Sequence, residues 1–191
     1  MGTALRLTLL AHGPTIRARD TLFGDLSDLA APPARLPGVQ AGMFSAPEPA
    51  CRQTADALLA GRGTDTPVVV LDGLRQPDYG SWAGLSYAEV SVQDPGGLEE
   101  WLRDPAAAPH GGESLAAHAA RVAGVLDDLA LANRTAIVVV TPATLRAACV
   151  HALDAGSGAL HHLEARPGAS ARLNRTARWR LSALLPPART G

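Results

Sequence analysis

The chain has 191 residues with a formal net charge of −1, and 47% of them are apolar. A chain this apolar is not a disordered segment, and so balanced a charge gives no electrostatic case for nucleic acid or an anionic membrane. Two cysteines, Cys51 and Cys149, both among small and apolar neighbours, indicate neither a disulfide framework nor a cysteine-based metal site. All the basic residues are arginine, which with the many Ala, Gly and Pro reads as the codon bias of a GC-rich genome. No apolar stretch approaches membrane-spanning length, and Met1 leads into the first strand without a charged leader and cleavage site. A single domain over 1–191 in the cytoplasm is therefore the expectation.

The first element is an apolar run over 5–10, a buried strand that ends at Ala11-His12-Gly13-Pro14. Residues 14–38 are irregular, with Pro32, Pro33 and Pro37 breaking any helix. A short strand over 39–44 precedes Ser45-Ala-Pro-Glu48, whose spacing is that of a capping box opening a helix to about Ala60. A buried strand is expected over 67–71, then a loop-rich stretch to His110 with one short helix over 98–103. Residues 113–132 give the clearest helix, with Leu115, Val122, Val125, Leu126 and Leu129 on one face. Five apolar residues over 136–140 make a strand covered on both faces. Thr141-Pro142 caps and opens a helix to about Leu153, and alternation over 159–163 and 171–181 suggests two closing strands. Strands alternating with helices predict a three-layer α/β/α sandwich around a mostly parallel sheet.

In such sheets ligands bind beyond the carboxyl ends of the strands, here Ala11-His12-Gly13 and Thr141-Pro142-Ala143. At these positions the chain resembles the histidine phosphatases (phosphoglycerate mutase-like), whose signature is Arg-His-Gly after the first strand. Further resemblances follow in family order. They are Ser45-x-Pro47 with Gln53-Thr54-Ala55, then Leu74-Arg75-Gln76-Pro77-Asp78-Tyr79-Gly80-Ser81-Trp82-Ala83-Gly84. Gly111-Gly112-Glu113-Ser114, preceded by Trp101 and Asp104-Pro105, comes next, and last Val139-Val140-Thr141 with Leu145-Arg146-Ala147. The short, Pro-rich stretch after the first motif implies that the family's first helix is reduced or absent.

The resemblance implies phosphoryl transfer to a histidine, which needs a nucleophilic imidazole, cations for the phosphate oxygens and a proton donor. His12 stands at the nucleophile position. The flanking arginine is Ala11, the phosphate-contacting asparagine is Ala18, and the second arginine is Ala50. The family acid is Gln76, and the second histidine is Pro142. Arg52 lies half a helical turn from the required position and is expected to point elsewhere. A phosphate dianion would thus meet a nearly uncharged pocket, and desolvating it unpaired is prohibitive.

Each candidate residue has a plain reading beside the functional one. His12 is a residual nucleophile or a relic satisfied by backbone groups. Glu113 is a substitute acid or a first-turn residue meeting the helix dipole. Gln76 can still donate a hydrogen bond to a neutral ligand. Gly13, Thr15, Arg17, Thr141, Thr144 and Arg146 are the candidate binding residues, although Arg17 and Arg19 also read as solvated loop charges and Arg146 as structural. His161 and His162, adjacent on an expected strand, would face opposite ways, and His110, His118 and His151 lack metal-ligand spacing, so no metal and no cofactor is expected. The reading is a pseudophosphatase that binds a small molecule or a protein, with a homodimer open as an assembly and nucleic acid and membrane excluded. The alternative is a phosphomonoester hydrolase that uses His12 in a rebuilt pocket, and a third is a purely structural subunit.

Overall fold

The computed structural model describes residues 5–31, 41–60, 66–132 and 135–187. Six strands form one sheet: β1 (Leu5–Ala11), β2 (Gly42–Ser45), β3 (Val68–Val70), β4 (Thr135–Val140), β5 (Ser170–Arg175) and β6 (Trp179–Leu185). Their order is β3-β2-β4-β1-β5-β6, with the first four parallel and β5 and β6 antiparallel. The helices are α1 (Pro49–Ala60), α2 (Tyr87–Gln93), α3 (Pro95–Arg103), α4 (Leu115–Ala132) and α5 (Pro142–Ala152). The result is the expected α/β/α sandwich.

The apolar run of β4 is explained by its place beside β1 and β2 in mid-sheet, where Ala136 to Val140 are all buried. Burying each of its Ile and Val side chains stabilises the fold by roughly 1.5–3 kcal/mol. The connection from β1 runs toward the β3 edge and that from β4 toward the β6 edge. A crevice therefore opens at the carboxyl ends of these two neighbours. Register pairs Ala11 with Val140, so His12 and Thr141 leave the sheet side by side.

Several sequence expectations are corrected. Ser45 and Glu48 form no capping box: Ser45 ends β2 and its hydroxyl donates to the Ala46 carbonyl. Glu48 caps α1 only through its backbone carbonyl, which accepts from the Arg52 N–H, while its side chain reaches the Gln76 loop. The strand over 67–71 is not buried, because β3 lies at the sheet edge and Val69 and Val70 are exposed. Helix α2 escaped the reading, since its seven residues carry too little periodicity; its capping box is Ser86 with Glu89. The helix expected over 113–132 begins at Leu115, which leaves Glu113 outside it. Residues 157–162 form a 3₁₀ turn rather than a strand, so His161 and His162 are not set on opposite faces of a strand. The alternation over 171–181 spans two strands, β5 and β6, joined as a hairpin. Val39, Gln40, Pro32, Pro33 and Pro37 lie outside the described residues.

Two loops pack against each other between β3 and α4 in the chain. Residues 78–81 and 110–113 run in contact, with the Glu113 N–H donating to the Asp78 carbonyl and the Ser81 N–H to the His110 carbonyl. The approach requires glycine: a Cβ on Gly80, whose φ is +46°, would fall 2.1 Å from the His110 oxygen. Gly80→Ala is expected to cost about 3 kcal/mol or more, read as a lower denaturation midpoint in urea.

Candidate functional site

His12 is buried at the end of β1, and its Nδ1 lies 2.7 Å from the Gly13 carbonyl oxygen. A carbonyl only accepts, so Nδ1 carries the proton and the neutral ring keeps its lone pair on Nε2. The Gly13 N–H donates to the Thr54 hydroxyl at 3.1 Å. Next door, the Gln53 side chain accepts from the Leu29 N–H and donates to the Asp28 carboxylate, both at 2.7 Å. The Gln-Thr-Ala motif thus fixes both the His12 turn and the loop that crosses it.

That loop, 14–31, contains no helix; its ends are tied by an antiparallel bridge between Thr15 and Leu29. Phe23 anchors it, packing edge-on against Tyr79 and Trp101 and tilted against Trp82 at centroid distances of 5.3, 5.6 and 5.3 Å. Gly24 follows, and a Cβ built there would lie 3.7 Å from the Gln76 amide nitrogen. Asp25 comes next. It accepts from the Thr15 hydroxyl at 2.6 Å and from the Ser27 backbone N–H and hydroxyl at 2.9 and 2.5 Å. Burial alone would raise the Asp25 pKa, but these hydrogen bonds and the facing His12 ring outweigh it and hold the carboxyl below its ordinary value. Burial lowers the His12 pKa, opposed by the Gly13 hydrogen bond and the Asp25 charge. Asp25 is therefore a carboxylate, held by Thr15 and Ser27 on the loop that follows His12. Asp25 was missed from the sequence because it sits in an irregular loop with no motif.

Gln76 is held from two sides. Its N–H donates to Glu48 Oε1 at 2.6 Å, while Glu48 Oε2 is buried without a partner. Burial pushes the Glu48 pKa up, against the opposing Gln76 N–H. Opposite, Arg121 donates to the Gly73 and Arg75 carbonyls at 2.8 and 3.1 Å and to both Glu113 oxygens at 2.9 and 2.5 Å. Burial would raise the Glu113 pKa, but the Arg121 hydrogen bonds and charge more than offset it, so Glu113 stays a carboxylate. A carboxylate in a two-point ion pair has no proton to offer a leaving group.

Arg121 also donates to His118 Nδ1 at 3.0 Å. Burial, then the Arg121 charge, pushes the His118 pKa down from 6.5 to about 4. A histidine that folds neutral binds fewer protons than its unfolded form between those values, so stability falls as pH drops through that window. Replacing it by His118→Gln should remove acid sensitivity on the order of 3 kcal/mol between pH 7 and 4, read from urea melts at each pH.

The remaining candidates separate. Thr15 joins the His12 cluster through Asp25. Thr141 caps α5 by accepting from the Thr144 N–H, and the Thr144 hydroxyl donates to the Leu74 carbonyl. Arg17 is exposed and paired with Asp20. Arg52 is exposed on α1, as expected, and the Arg146 charge acts on Tyr79, His118 and His161. Among the described residues no arginine hydrogen-bonds to His12, and no cluster of three or more His, Cys, Asp or Glu could hold a metal ion.

The sequence pattern of the histidine phosphatase superfamily, branch 1, matches residues 28–183. The chain belongs to that superfamily. Bifunctional protein Rv2228c of Mycobacterium tuberculosis is 32% identical over 177 residues, 85% of this chain and 48% of that protein. Glucosyl-3-phosphoglycerate phosphatase of the same organism is 33% identical over 127 residues, 62% of this chain and 57% of the relative. The chain thus spans about half the length of the curated relatives it matches. Among solved structures, mycobacterial glucosyl-3-phosphoglycerate phosphatase with inorganic phosphate superposes with a TM-score of 0.77, covering 98% of this chain and 100% of that one at 23% identity. The Shigella flexneri α-ribazole phosphatase gives a TM-score of 0.76 at 17% identity, covering 98% and 100%. This histidine phosphatase fold keeps His12 at the end of β1 and has Ala11, Ala50, Gln76 and Pro142 at the other four motif positions. No helix among the described residues is long and apolar enough to cross a membrane.

Proposed function

We propose that this chain is a non-catalytic histidine phosphatase, a pseudophosphatase that binds a small molecule or a protein partner, a second copy of itself among the candidates. The observation that carries the reading is the loss of the phosphate clamp: Ala11, Ala50 and Pro142 stand where its cations would, and the loop after His12 carries the Asp25 carboxylate, held by Thr15 and Ser27. A phosphate dianion would have to be desolvated beside a carboxylate, which adds repulsion to an unpaired burial. Glu113, tied to Arg121, does not replace the acid lost at Gln76. Two free, buried thiols, Cys51 and Cys149, favour the cytoplasm as the place of action.

The rival reading is a phosphomonoester hydrolase with His12 as nucleophile, and one observation favours it. The hydrogen bond from Nδ1 to Gly13 leaves Nε2 as the reactive lone pair. Its substrate class would then follow the glucosyl-3-phosphoglycerate phosphatases, a phosphomonoester of a glycosylated glycerate. Wild type and His12→Ala, compared on an aryl phosphate and several natural phosphomonoesters, are expected to show the same negligible turnover. Calorimetry with phosphate and vanadate is expected to give weak or no binding. Robust turnover or micromolar vanadate affinity that vanishes with His12→Ala would establish the rival instead.

A further inference from the structure

The two faces of the sheet are covered unevenly. Helix α1 packs on β2, β3 and β4, while α5 packs on β1, β5 and β6. The parallel steps from β1 to β2 and from β2 to β3 both run toward the β3 edge, so right-handed crossovers put both on the face that α1 covers. The step from β3 to β4 runs back and puts α4, with α5 packed on it, on the other face. The crossover from β1 would normally lay a helix beside α1, but its described part, 14–31, holds none. Register shows what this leaves open. Side chains opposite one another in a ladder share a face, as do alternate residues along a strand. Arg6 lies opposite Asn174, Asn174 opposite Arg180, and Thr8 opposite Arg172. These side chains therefore share the α1 face, whereas the intervening Leu7 and Leu173 are buried on the α5 side. Arg6, Arg172 and Arg180 are all exposed, and none has an ion pair among the described residues. Strands β1, β5 and β6 contain no Asp or Glu. Leu185, opposite Ser170, adds an exposed apolar group to the same face.

Strands lie about 4.8 Å apart, so the strip from β1 to β6 is about 10 Å across, the width of one α-helix. Arginine presents a planar fork that matches a carboxylate, and three of them without a counter-charge call for an acidic occupant. The apolar end of the strip calls for an apolar stripe beside the acidic one, which an amphipathic helix supplies. No residue of this strip can stack a base, and a net charge of −1 gives no long-range attraction for a polyanion. We propose that the strip docks an acidic amphipathic helix of a partner protein, in the place beside α1 where the described crossover from β1 has no helix. Arg6 stands six residues before His12, about 20 Å along β1, so this surface is separate from the crevice. Such docking gives the proposed binding role a class of partner, and it rests on that role only in requiring that a protein partner exists.

The test titrates the full chain with three fluorescent probes, read by anisotropy. They are a stapled helical peptide with one face of glutamate and one of leucine, the same peptide with glutamine for each glutamate, and a short DNA duplex. The Asn174 side-chain amide signals, assigned by NMR through their loss in Asn174→Ala, report where the probe sits. The acidic helix should shift those signals and bind about tenfold or more tighter than the glutamine helix, an advantage that shrinks as salt rises. Arg172→Glu with Arg180→Glu should weaken the acidic helix by about tenfold or more, since like charges then face each other. Arg103→Glu, at an exposed arginine on α3, should change it less than about twofold. The glutamine and salt comparisons use wild type, so they stand even if the double reversal folds poorly. An acidic helix that fails to bind, or that binds no better than the glutamine helix, would overturn the inference. So would binding that ignores the double reversal and leaves Asn174 unshifted. DNA bound as tightly as the acidic helix, through the same arginines, would replace the protein partner with nucleic acid. His12-dependent turnover of an aryl phosphate would instead sink the non-catalytic reading, whereas absent turnover together with absent helix binding defeats this inference alone.

Discussion

A chain carrying Ala11→Arg, Ala50→Arg, Gln76→Glu and Pro142→His together is expected to hydrolyse an aryl phosphate at least about a hundredfold faster than wild type, whereas each single change should gain less than about tenfold. The nucleophile is already presented: Nδ1 is fixed on Gly13, and the Gly13 N–H is fixed on Thr54. What is missing is the set of groups that stabilise charge developing on the phosphoryl oxygens and leaving group. One such donor is worth roughly a hundred- to a thousandfold, but only when its partners are in place. The structure adds two conditions. Ala11 and Ala50 are buried at 0% and 3% exposure, so two arginines there must displace neighbours, an overpacking cost of about 1–3 kcal/mol each. Pro142→His removes a helix-start residue favoured at the first turn of α5. Asp25 also opposes the restored clamp, so adding Asp25→Asn should raise kcat/KM further. The measurement is kcat/KM for the four single variants, the combined variant and its His12→Ala control. A combined variant that folds and binds phosphate yet turns over no faster than wild type would show that the backbone at the site has moved out of the family geometry.

Arg121→Ala is expected to destabilise the protein by about 3–5 kcal/mol, because it breaks a largely buried ion pair from one side. Arg121 and Glu113 are only 18% and 15% exposed, and the same guanidinium satisfies the carbonyls of Gly73 and Arg75. Its loss leaves a largely buried carboxylate and two loop carbonyls without their donor. The melting temperature should drop by roughly 6–20 °C, at about 2–4 °C per kcal/mol for a chain of this size. Arg121→Ala combined with Glu113→Ala should recover part of the loss, because the orphaned charge goes with it. A drop under 1 kcal/mol in the single variant would mean that Glu48 and Thr144 hold the Gln76 loop unaided. The Glu113 carboxyl is held below its ordinary value, so the stability this pair provides is complete above the usual carboxylate range. It is lost as pH falls through the lowered folded value.

What the sequence by itself determined is local or strongly patterned. The five-residue apolar run of β4, the helical stripe of α4 and the Thr141-Pro142 cap of α5 declare their own structure, because each is fixed by neighbours within a few residues. The order of motifs placed the chain in its family, and the replaced residues at 11, 50, 76 and 142 could be named without coordinates. Short elements were harder. The seven residues of α2 and the six of the 157–162 turn are decided by packing and capping more than by period. The electrical character of the site was legible only in the tertiary structure. Asp25 reaches the His12 turn because Phe23 is anchored on Tyr79, Trp82 and Trp101, residues more than fifty positions away. Glu48, read as a helix cap, serves the Gln76 loop across 28 residues, and Glu113, read as a candidate acid, is neutralised by Arg121. The charge a buried group meets depends on which loops are pressed against it, and that is set by long-range packing, which no local pattern in a single sequence records.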